Sequence, residues 1–388
     1  MCSFRPSLQF ASTTCNDLSR ARCAGVGTLR PGILPDRQIA ALFQSGALVS
    51  GRALDADQIQ PASLDLRLGA RAYRVRASFL PGRDHTVAAK LERLKLHEID
   101  LGSGAVLETG CVYIVPLLEV LALPNDVAAS ANPKSSTGRL DIFTRVMTDH
   151  GQEFDKIPAG YNGPLYLEVS PRTFPIVVRT GSRLSQIRFR TGAALLDGAA
   201  LLDLHARETL VASDVPNVTG GGIALSIDLR GSGGGVIGYR GKHHTGVVDV
   251  DKRGAQDAAD FWEPLNDRGH GELILDPDEF YILVSREAVH VPPEFAAEMT
   301  PFDPLVGEFR VHYAGFFDPG FGHSAAGGTG SRAVLEVRSH EVPFILEHGQ
   351  IVGRLVYEHM QSRPDALYGA DLKSNYQAQG LKLSKHFR

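Results

Sequence analysis

The chain repeats itself at a spacing of 168 residues, and this internal duplication constrains its possible folds more than any other feature of the sequence. The spacing relates strand, turn and breaker positions, namely Tyr113 and Tyr281, Glu119 and Glu287, Pro124 and Pro292, Pro133 and Pro301, Glu168 and Glu336, Pro175 and Pro343, and Gly181 and Gly349. The run Leu64-Asp65-Leu66-Arg67 also reappears as Ile227-Asp228-Leu229-Arg230, at a spacing of 163. We therefore predict two tandem copies of one domain, with loop insertions where the spacing changes.

Each copy should consist mainly of β-strands. Apolar and polar residues alternate from Leu64 to Leu68 and again from Leu184 to Phe189, which is the pattern of half-buried strands. Two further strand-like runs lie between Val106 and Leu123, with a break expected near Pro116. The sequence therefore predicts strands with little helix between them.

Two helices are expected outside this pattern. The first should begin at a cap, Asp36, and end at Gly46, with Ile39, Leu42 and Phe43 on one face. The second lies in the Ala- and Leu-rich segment that joins the two copies. We therefore divide the chain into an N-terminal tail (1–30), a first copy (31–192), a helical linker (193–222), a second copy (223–362) and a C-terminal tail (363–388).

Composition excludes several classes of protein. A chain of 388 residues, 43% of them hydrophobic, can bury a core large enough for two domains. The net charge of -4 argues against a broad nucleic-acid or membrane surface. The chain lacks both a bilayer-length apolar run and the apolar core of a signal peptide, so we expect a cytoplasmic protein. Its four cysteines include no Cys-x-x-Cys pair, which argues against a disulfide framework and a zinc site.

Two short stretches carry the chemistry. Lys134–Arg139 offers a lysine, three hydroxyls, a glycine and an arginine, which suit a phosphate group, although such a hexapeptide alone favours a solvated polar turn. Phe316–Val337 carries Asp318, in an Asp-Pro-Gly turn, and Glu336, in a segment that alternates like a strand. We predict that this second stretch is a β-hairpin arm bearing two carboxylates.

The two copies have kept different parts of this set. Where the first copy has Lys134–Arg139, the second reads Thr300–Gly307 and has no comparable cluster of donors. Where the second copy has its Asp-Pro-Gly turn, the first reads Ile157-Pro158-Ala159-Gly160. Each copy therefore lacks what the other retains, as expected of duplicated halves that share one ligand.

These motifs closely resemble those of the dCTP deaminases, relatives of the trimeric dUTPases. The resemblance rests on Ser-Ser-x-x-Arg at 135–139, Ala-x-x-x-Asp-Pro-Gly at 314–320, Leu-Glu at 335–336 and Leu-Asp-Leu-Arg-Leu-Gly at 64–69, and it covers nearly all the chain after Arg30. It implies two tandem dUTPase-like distorted β-barrels of jelly-roll type. In that family one subunit gives the phosphate loop and its neighbour the hairpin; here the first and second copies would play these parts.

The resemblance also implies the activity and the residues that carry it. The activity is deamination of dCTP to dUTP and ammonia, in pyrimidine deoxynucleotide biosynthesis. Glu336 would act as general base for attack of water on cytosine C4, with Ser135, Arg139 and the backbone carbonyl of Ala314 holding that water. The implied substrate-binding residues are Lys134, Ser136, Asp318 (for the deoxyribose hydroxyl), Leu335, Tyr368 and Gln379. Magnesium would arrive on the triphosphate, and no zinc is implied, because the Pro-Cys-x-x-Cys signature of zinc deaminases is missing.

Three positions depart from the family pattern. Lys134 stands where the family usually has Arg, which keeps the charge but loses bidentate geometry. A tail position that is usually Lys is Asn375, with Lys373 nearby as a substitute. Glu168 remains in the first copy, either as part of a second site or as a structural relic.

Three functions stay open on the sequence. The first is dCTP deamination, which Glu336 favours. The second is dUTP hydrolysis to dUMP and pyrophosphate, alone or after deamination, and the third is a non-catalytic deoxynucleotide-binding regulator. The resemblance also implies a homo-oligomer, although two copies per chain do not divide evenly around the threefold axis of the relatives.

Overall fold

The protein is described from a computed structural model that covers residues 30–213, 215–231, 235–301, 309–312, 315–339, 341–369, 372–373 and 376–388, with only the backbone at 301, 309–312 and 372–373. Residues 31–388 form one compact unit. Strands far outnumber helices in the described ranges, which confirms the mainly β prediction.

The helices are short, and those described are α1 Asp36–Gln44, α2 Val87–Leu94, α3 Ser135–Gly138, α4 Gly198–Arg207 and α5 Ala258–Phe261. The first confirms the predicted helix, since Ile39 and Leu42 are buried on one face. Its cap was predicted one residue late, because Pro35 is the N-cap and Asp36 is already helical. The Asp36 carboxylate accepts hydrogen bonds from the backbone N–H groups of Asp365 (3.1 Å) and Ala366 (2.9 Å).

The strands of the first copy are β1 Gly32–Ile33, β2 Leu48–Ser50, β3 Leu64–Leu66, β4 Arg71–Val75, β5 Lys95–Asp100, β6 Ala105–Leu107, β7 Val112–Ala122, β8 Val127–Pro133, β9 Ile142–Thr148, β10 Lys156–Ile157, β11 Asn162–Pro171, β12 Ile176–Val178 and β13 Ser185–Thr191. One sheet has the order β1-β13-β8-β10, with β3 also paired to β13. A second has the order β5-β4-β7-β11-β9, with β2 also paired to β7.

The remaining described strands are β14 Val218–Thr219, β15 Gly222–Ser226, β16 Val236–Gly241, β17 Val248–Asp249, β18 Trp262–Asn266, β19 Glu272–Leu275, β20 Phe280–Val289, β21 Phe295–Pro301, β22 Phe309–His312, β23 Phe316–Phe317, β24 Ser331–Ser339, β25 Phe344–Glu347, β26 Ile351–His359, β27 Tyr368–Gly369 and β28 Leu372–Lys373. Two sheets repeat the first copy, in the orders β14-β15-β26-β21-β23 and β18-β16-β20-β24-β22. Smaller sheets join β17-β12-β6, β19-β25 and β27-β28.

The duplication is confirmed in the strand pairing. The bounds of β8 and β21 differ by the predicted 168 residues, and β7 pairs with β11 as β20 pairs with β24. One predicted equivalence was wrong. The N–H of Arg67 donates to Glu119 (2.9 Å) and that of Ser226 to Glu287 (2.8 Å), so Arg67 matches Ser226 at a spacing of 159, and not Arg230. An alternating pattern has a period of two, so an even shift of four residues leaves it looking the same.

Pro116 does not break its strand, contrary to the prediction. β7 runs continuously through Pro116, and its ladder with β11 changes register there, between the pairs Val120–Pro164 and Pro116–Tyr166. A proline has no N–H to donate, so it is tolerated where a bulge interrupts the ladder.

The predicted hairpin from Phe316 to Val337 was also wrong. Its two strands belong to different sheets, since β23 pairs with β21 whereas β24 pairs with β20 and β22. The turn itself is present: the N–H of Phe321 donates to Asp318 O (3.1 Å), and Gly320 has φ +97°, which a glycine accommodates in a type II turn. The stretch therefore crosses between sheets and places Asp318 and Glu336 on separate walls.

Each copy has its own hydrophobic core. The first contains Leu64, Leu66 and Phe189, and the second contains Leu335 and Tyr357. The first core also takes Phe261, Trp262 and Phe280 from the sequence of the second copy, so the two halves interlock. The predicted limits of the domains stay predictions.

The described ranges include no helix that is both long and apolar enough to cross a bilayer. Cys111 is a free, partly exposed thiol, whereas Cys2, Cys15 and Cys23 lie outside the described residues.

Candidate active site

The two copies meet around a cavity of about 710 Å³. The predicted residues that line it are Lys134, Ser135, Ser136 and Arg139 from the first copy, Asp318 and Glu336 from the second, and Tyr368 and Gln379 from the C-terminal tail. The two stretches singled out in the sequence therefore face each other within one chain.

Glu336 is the buried carboxylate of this cavity. It lies on β24, where Val334 and Glu336 line the cavity and the intervening Leu335 packs in the second core, so Leu335 can meet a ligand only through its backbone. Burial raises the pKa of Glu336 to about 8, against the opposing effect of Arg139 and with a small further rise from Asp141. A carboxyl group with such a pKa can exchange a proton near neutral pH.

Arg139 is the cation next to Glu336. Its Nε lies 3.9 Å from Glu336 Oε1, beyond hydrogen-bond distance, and has no hydrogen-bond partner among the described residues. The other two nitrogens donate to Gln379 Oε1 and to Lys382 O, both at 3.0 Å, and the guanidinium lies 3.9 Å from the centre of the Tyr376 ring. Arg139 is thus held rigidly with one donor left towards Glu336.

The stretch Lys134–Arg139, the predicted phosphate loop, contains a single helical turn, α3, whereas local sequence alone favoured a solvated polar turn. Its Ser136 is buried and Ser135 is partly exposed at the cavity wall. The Lys134 ammonium forms an ion pair with Asp65 of β3. The backbone carbonyl of Ser136 accepts a hydrogen bond from Ser384 Oγ (2.9 Å), which attaches the loop to the C-terminal tail.

Arg183 is a cavity residue that sequence reasoning missed. It donates to Asp55 Oδ2 (2.6 Å) and Asp57 Oδ1 (2.8 Å), and it lies 3.5 Å from Asp65 Oδ2. A signal was available, because Asp65 sits inside an apolar strand and a buried carboxylate needs a charged partner.

Arg188 is a second missed residue, and it connects the copies. It lies on β13 of the first copy, with its guanidinium 4.0 Å from the centre of the Phe316 ring and its Nη2 3.4 Å from Asp318 Oδ1. Its Nη1 donates to the backbone carbonyl of Ala297 (3.1 Å). Burial raises the pKa of Asp318 and Arg188 opposes that rise, so the acid of the turn is held by the other copy.

The C-terminal tail closes one side of the cavity. The N–H of Tyr368 donates to Pro319 O (2.9 Å), and burial raises the pKa of its phenol. Gln379 accepts from Arg139 and donates to the backbone carbonyl of Arg332 (3.0 Å). Ala314, Asn375 and the side chain of Lys373 lie outside the described residues.

Glu168, the residue of the first copy that matches Glu336, is tied up in an ion pair with an arginine. Arg145 donates two hydrogen bonds to Glu168 Oε1, at 3.0 and 2.6 Å, and Glu168 is only 1% exposed. It lies opposite Arg145 in the β9–β11 ladder, whereas Glu336 lies opposite His312 in the β22–β24 ladder. Glu168 is not among the described residues that line the cavity, and its ion pair favours the structural alternative.

Comparison with known proteins adds to this geometry. Models for the N-terminal and C-terminal domains of 2'-deoxycytidine 5'-triphosphate deaminase match residues 30–193 and 197–387. A "dCTP deaminase, dUMP-forming" of Dictyoglomus thermophilum is 31% identical over 159 residues, which are 40% of this chain and 79% of the relative. A "dCTP deaminase" of Haloarcula marismortui is 31% identical over 163 residues, with the same two shares.

A solved structure is more similar still. The crystal structure of 2'-deoxycytidine 5'-triphosphate deaminase from Agrobacterium tumefaciens matches with a TM-score of 0.82 and 77% sequence identity. The match covers 85% of this chain and 99% of that one. The similarity therefore extends over both copies and is not confined to one of them.

Proposed function

Since the chain belongs to the 2'-deoxycytidine 5'-triphosphate deaminase family, we propose that it hydrolyses dCTP to dUTP and ammonia. One observation carries the assignment of the site. Glu336 is a buried carboxylate with a raised pKa, 3.9 Å from Arg139, in a cavity built from both copies. A hydrolytic deaminase needs such a group to move protons between water and the amino group that leaves.

The reaction proceeds by addition of water and elimination of ammonia. Glu336 takes a proton from water as the water oxygen bonds to C4, and Arg139 and Ser135 stabilise the charge that develops. One proton of the water ends on N3 of the pyrimidine. The other passes through Glu336 to the amino group, so that the C4–N bond breaks, ammonia leaves and the C4 carbonyl forms. Such general acid–base catalysis contributes a factor of about a hundred to ten thousand in rate.

The other cavity residues would bind the rest of the nucleotide. Asp318, held by Arg188, would accept the hydrogen bond of the deoxyribose hydroxyl. Lys134, Ser136, Tyr368 and Gln379 would hold the triphosphate, and the backbone of Leu335 and the carbonyl of Ala314 would face the base and the water. One copy supplies the loop at Lys134–Arg139 and the other supplies Asp318 and Glu336, so the nucleotide would contact both copies. Neither copy therefore needs to retain the complete set of binding residues.

Magnesium would accompany the triphosphate. Mg²⁺ takes oxygen ligands and keeps several of its waters, so phosphate oxygens suit it as direct ligands. The carboxylates of Asp57 and Asp251 line the cavity and could accept hydrogen bonds from those waters. The ion would offset the charge of the triphosphate and take no part in the proton transfers.

We further propose a cytoplasmic homo-oligomer that binds neither nucleic acid nor membranes. The net charge of -4 gives no basis for a broad anionic partner. Ile274 and Ile345 are cross-strand neighbours in the β19–β25 sheet and are 57% and 56% exposed, which suits contact with another subunit. Sedimentation of the full chain tests the oligomer.

The proposed activity is tested by the products formed from dCTP. We expect one ammonia for each dUTP and only background pyrophosphate. Pyrophosphate is measured because the Dictyoglomus relative is named dUMP-forming, whereas the Haloarcula relative is not. Stoichiometric pyrophosphate would indicate that dUTP is hydrolysed further, and binding of dCTP without ammonia would indicate a regulator.

The rate should depend on pH through the ionisation of Glu336. Only the carboxylate can accept a proton, and its pKa in the free protein is raised to about 8. We therefore expect kcat/KM for dCTP to rise by about tenfold per pH unit below pH 8 and to level off above it. Asp141→Asn should move this rise to lower pH, because the charge of Asp141 helps to raise the pKa of Glu336. A profile that is flat between pH 6 and 9 would contradict this role of Glu336.

A further inference from the structure

The last residues of the chain, 376–388, contact both copies; we call them the C-terminal segment. The Phe387 ring packs against the rings of Phe261 and Trp262, with centroids 5.3 and 5.7 Å apart. The backbone N–H of Arg388 donates a hydrogen bond to the backbone carbonyl of Gln256 (3.0 Å). This part of the segment is thus held by aromatic packing and by a backbone hydrogen bond.

Attachments further back orient Lys385. Ser384 Oγ bonds to Ser136 O (2.9 Å) of the phosphate loop, and His386 Nε2 bonds to Val250 O (2.9 Å). Both Ser384 and His386 are buried, whereas Lys385 between them lines the cavity. The N–H of Lys385 donates to the Tyr376 hydroxyl (3.3 Å). The backbone therefore presents the Lys385 side chain to the cavity.

Lys385 differs from the cavity cations Lys134 and Arg183 in its partners. Lys134 is paired with Asp65, and Arg183 is paired with Asp55 and Asp57. Among the described residues, Lys385 forms no ion pair with a carboxylate, and Asp65, the acid closest to it in charge effect, is paired with Lys134 and Arg183. Burial, together with the nearby charges of Lys134 and Arg253, lowers the pKa of its ammonium to about 8, and the charge of Asp65 opposes this only in part. An anion at this place would relieve that unfavourable environment.

We propose that Lys385 binds the terminal phosphates of the nucleotide. An ammonium is a compact partner for phosphate, and Lys134 lines the same cavity. The inference rests on the proposed function for the identity of the nucleotide, but the anion site can be tested without it.

The test compares Lys385→Gln with Lys242→Gln in the full-length chain. Lys242 is exposed, donates to Ala259 O (2.7 Å) and does not line the cavity, so it controls for the loss of one positive charge. Calorimetry with inorganic tripolyphosphate should give a Kd raised by about tenfold or more for Lys385→Gln and unchanged for the control. KM for dCTP should rise in parallel with little change in kcat, and affinity for dCMP should change less than affinity for dCTP.

Equal affinities of wild type and Lys385→Gln for tripolyphosphate would overturn the proposal. So would an equal loss for dCMP and dCTP, since that would indicate general damage to the site. Lys385→Arg should retain most of the affinity, and Lys385→Met replaces the glutamine variant if melting shows that it is unfolded. If the wild type releases no ammonia yet the tripolyphosphate difference persists, the proposed function fails and the anion site stands.

Discussion

Replacing Glu336 by glutamine is expected to reduce ammonia release from dCTP by about a hundredfold to ten-thousandfold, the usual contribution of a general base. Glutamine has nearly the same shape but cannot take a proton from water. dCTP binding, measured by calorimetry, should persist, because the triphosphate and the sugar are held by other residues of the cavity. The expected signature is therefore a loss of kcat with binding retained.

Although Glu336→Gln should lose activity, we expect it to be more stable than wild type at high pH. The pKa of Glu336 in the folded protein, about 8, lies above its ordinary value of 4.5, so the neutral form is preferred on folding. Stability that this preference contributes is present at low pH and is lost as the pH rises through 8. Glu336→Gln has no such loss and should melt at a higher temperature than wild type above pH 8. A lower melting temperature there would indicate a structural role instead.

Glu168→Gln is the matched control, since Glu168 occupies the equivalent position of the first copy. It should leave most of the ammonia release intact, although it weakens the buried ion pair with Arg145 and should lower the melting temperature. If Glu168→Gln abolished turnover and Glu336→Gln did not, the assignment of the base would be reversed.

Replacing Arg139 by alanine is expected to reduce kcat by about a hundredfold to a thousandfold, as when one preorganised donor to a transition state is removed. The change removes the cation 3.9 Å from Glu336 and the hydrogen bonds to Gln379 and Lys382. Because Arg139 opposes the rise in the pKa of Glu336, its loss should also move the pH profile to higher pH. Steady-state kinetics with dCTP across pH 6 to 9.5 measures both effects.

Two further variants separate charge from geometry. Arg139→Lys keeps a cation but loses the planar fork that reaches two partners, so its activity should fall between those of wild type and Arg139→Ala. Arg207→Ala removes an exposed arginine of α4 that pairs with Asp203 on the surface, and it should be nearly neutral. Near-normal turnover of Arg139→Ala would show that the two copies do not share one catalytic site.

Much of this arrangement could be read from local sequence. The duplication at 168 residues, the turn at Asp318 and the helix after Pro35 each depend on neighbouring residues or on spacing along the chain, and all three are present. Sequence also separated the donors near Arg139 from the acid at Glu336 and assigned them to different copies. The turn and the helix are set by residues close to one another in the chain, and the duplication appears when the sequence is compared with itself, so none of the three needs the tertiary structure.

Sequence reasoning failed where a contact depends on distant residues. In the predicted hairpin, β24 would pair with β23, but it pairs with β22 on one side and with β20 on the other. The counterpart of Leu64–Arg67 in the second copy was placed four residues too late along the chain, because the alternating pattern repeats every two residues. Arg183 and Lys385, which line the cavity, and Arg188, which holds Asp318, were missed, since nothing in the sequence around an isolated basic residue shows which distant residues it contacts.

The sequence by itself determined that the chain holds two diverged copies, one with Ser135 and Arg139 and the other with Asp318 and Glu336. The resemblance named Glu336 as the base, but only the tertiary structure shows that the two duplicated glutamates have different surroundings. Glu168 and Glu336 occupy equivalent positions on β11 and β24, yet Arg145 donates a hydrogen bond to Glu168 whereas Arg139 stays 3.9 Å from Glu336. The pKa of a carboxylate depends on its burial and on the charges within a few ångströms, and only the packing of the two copies sets those distances.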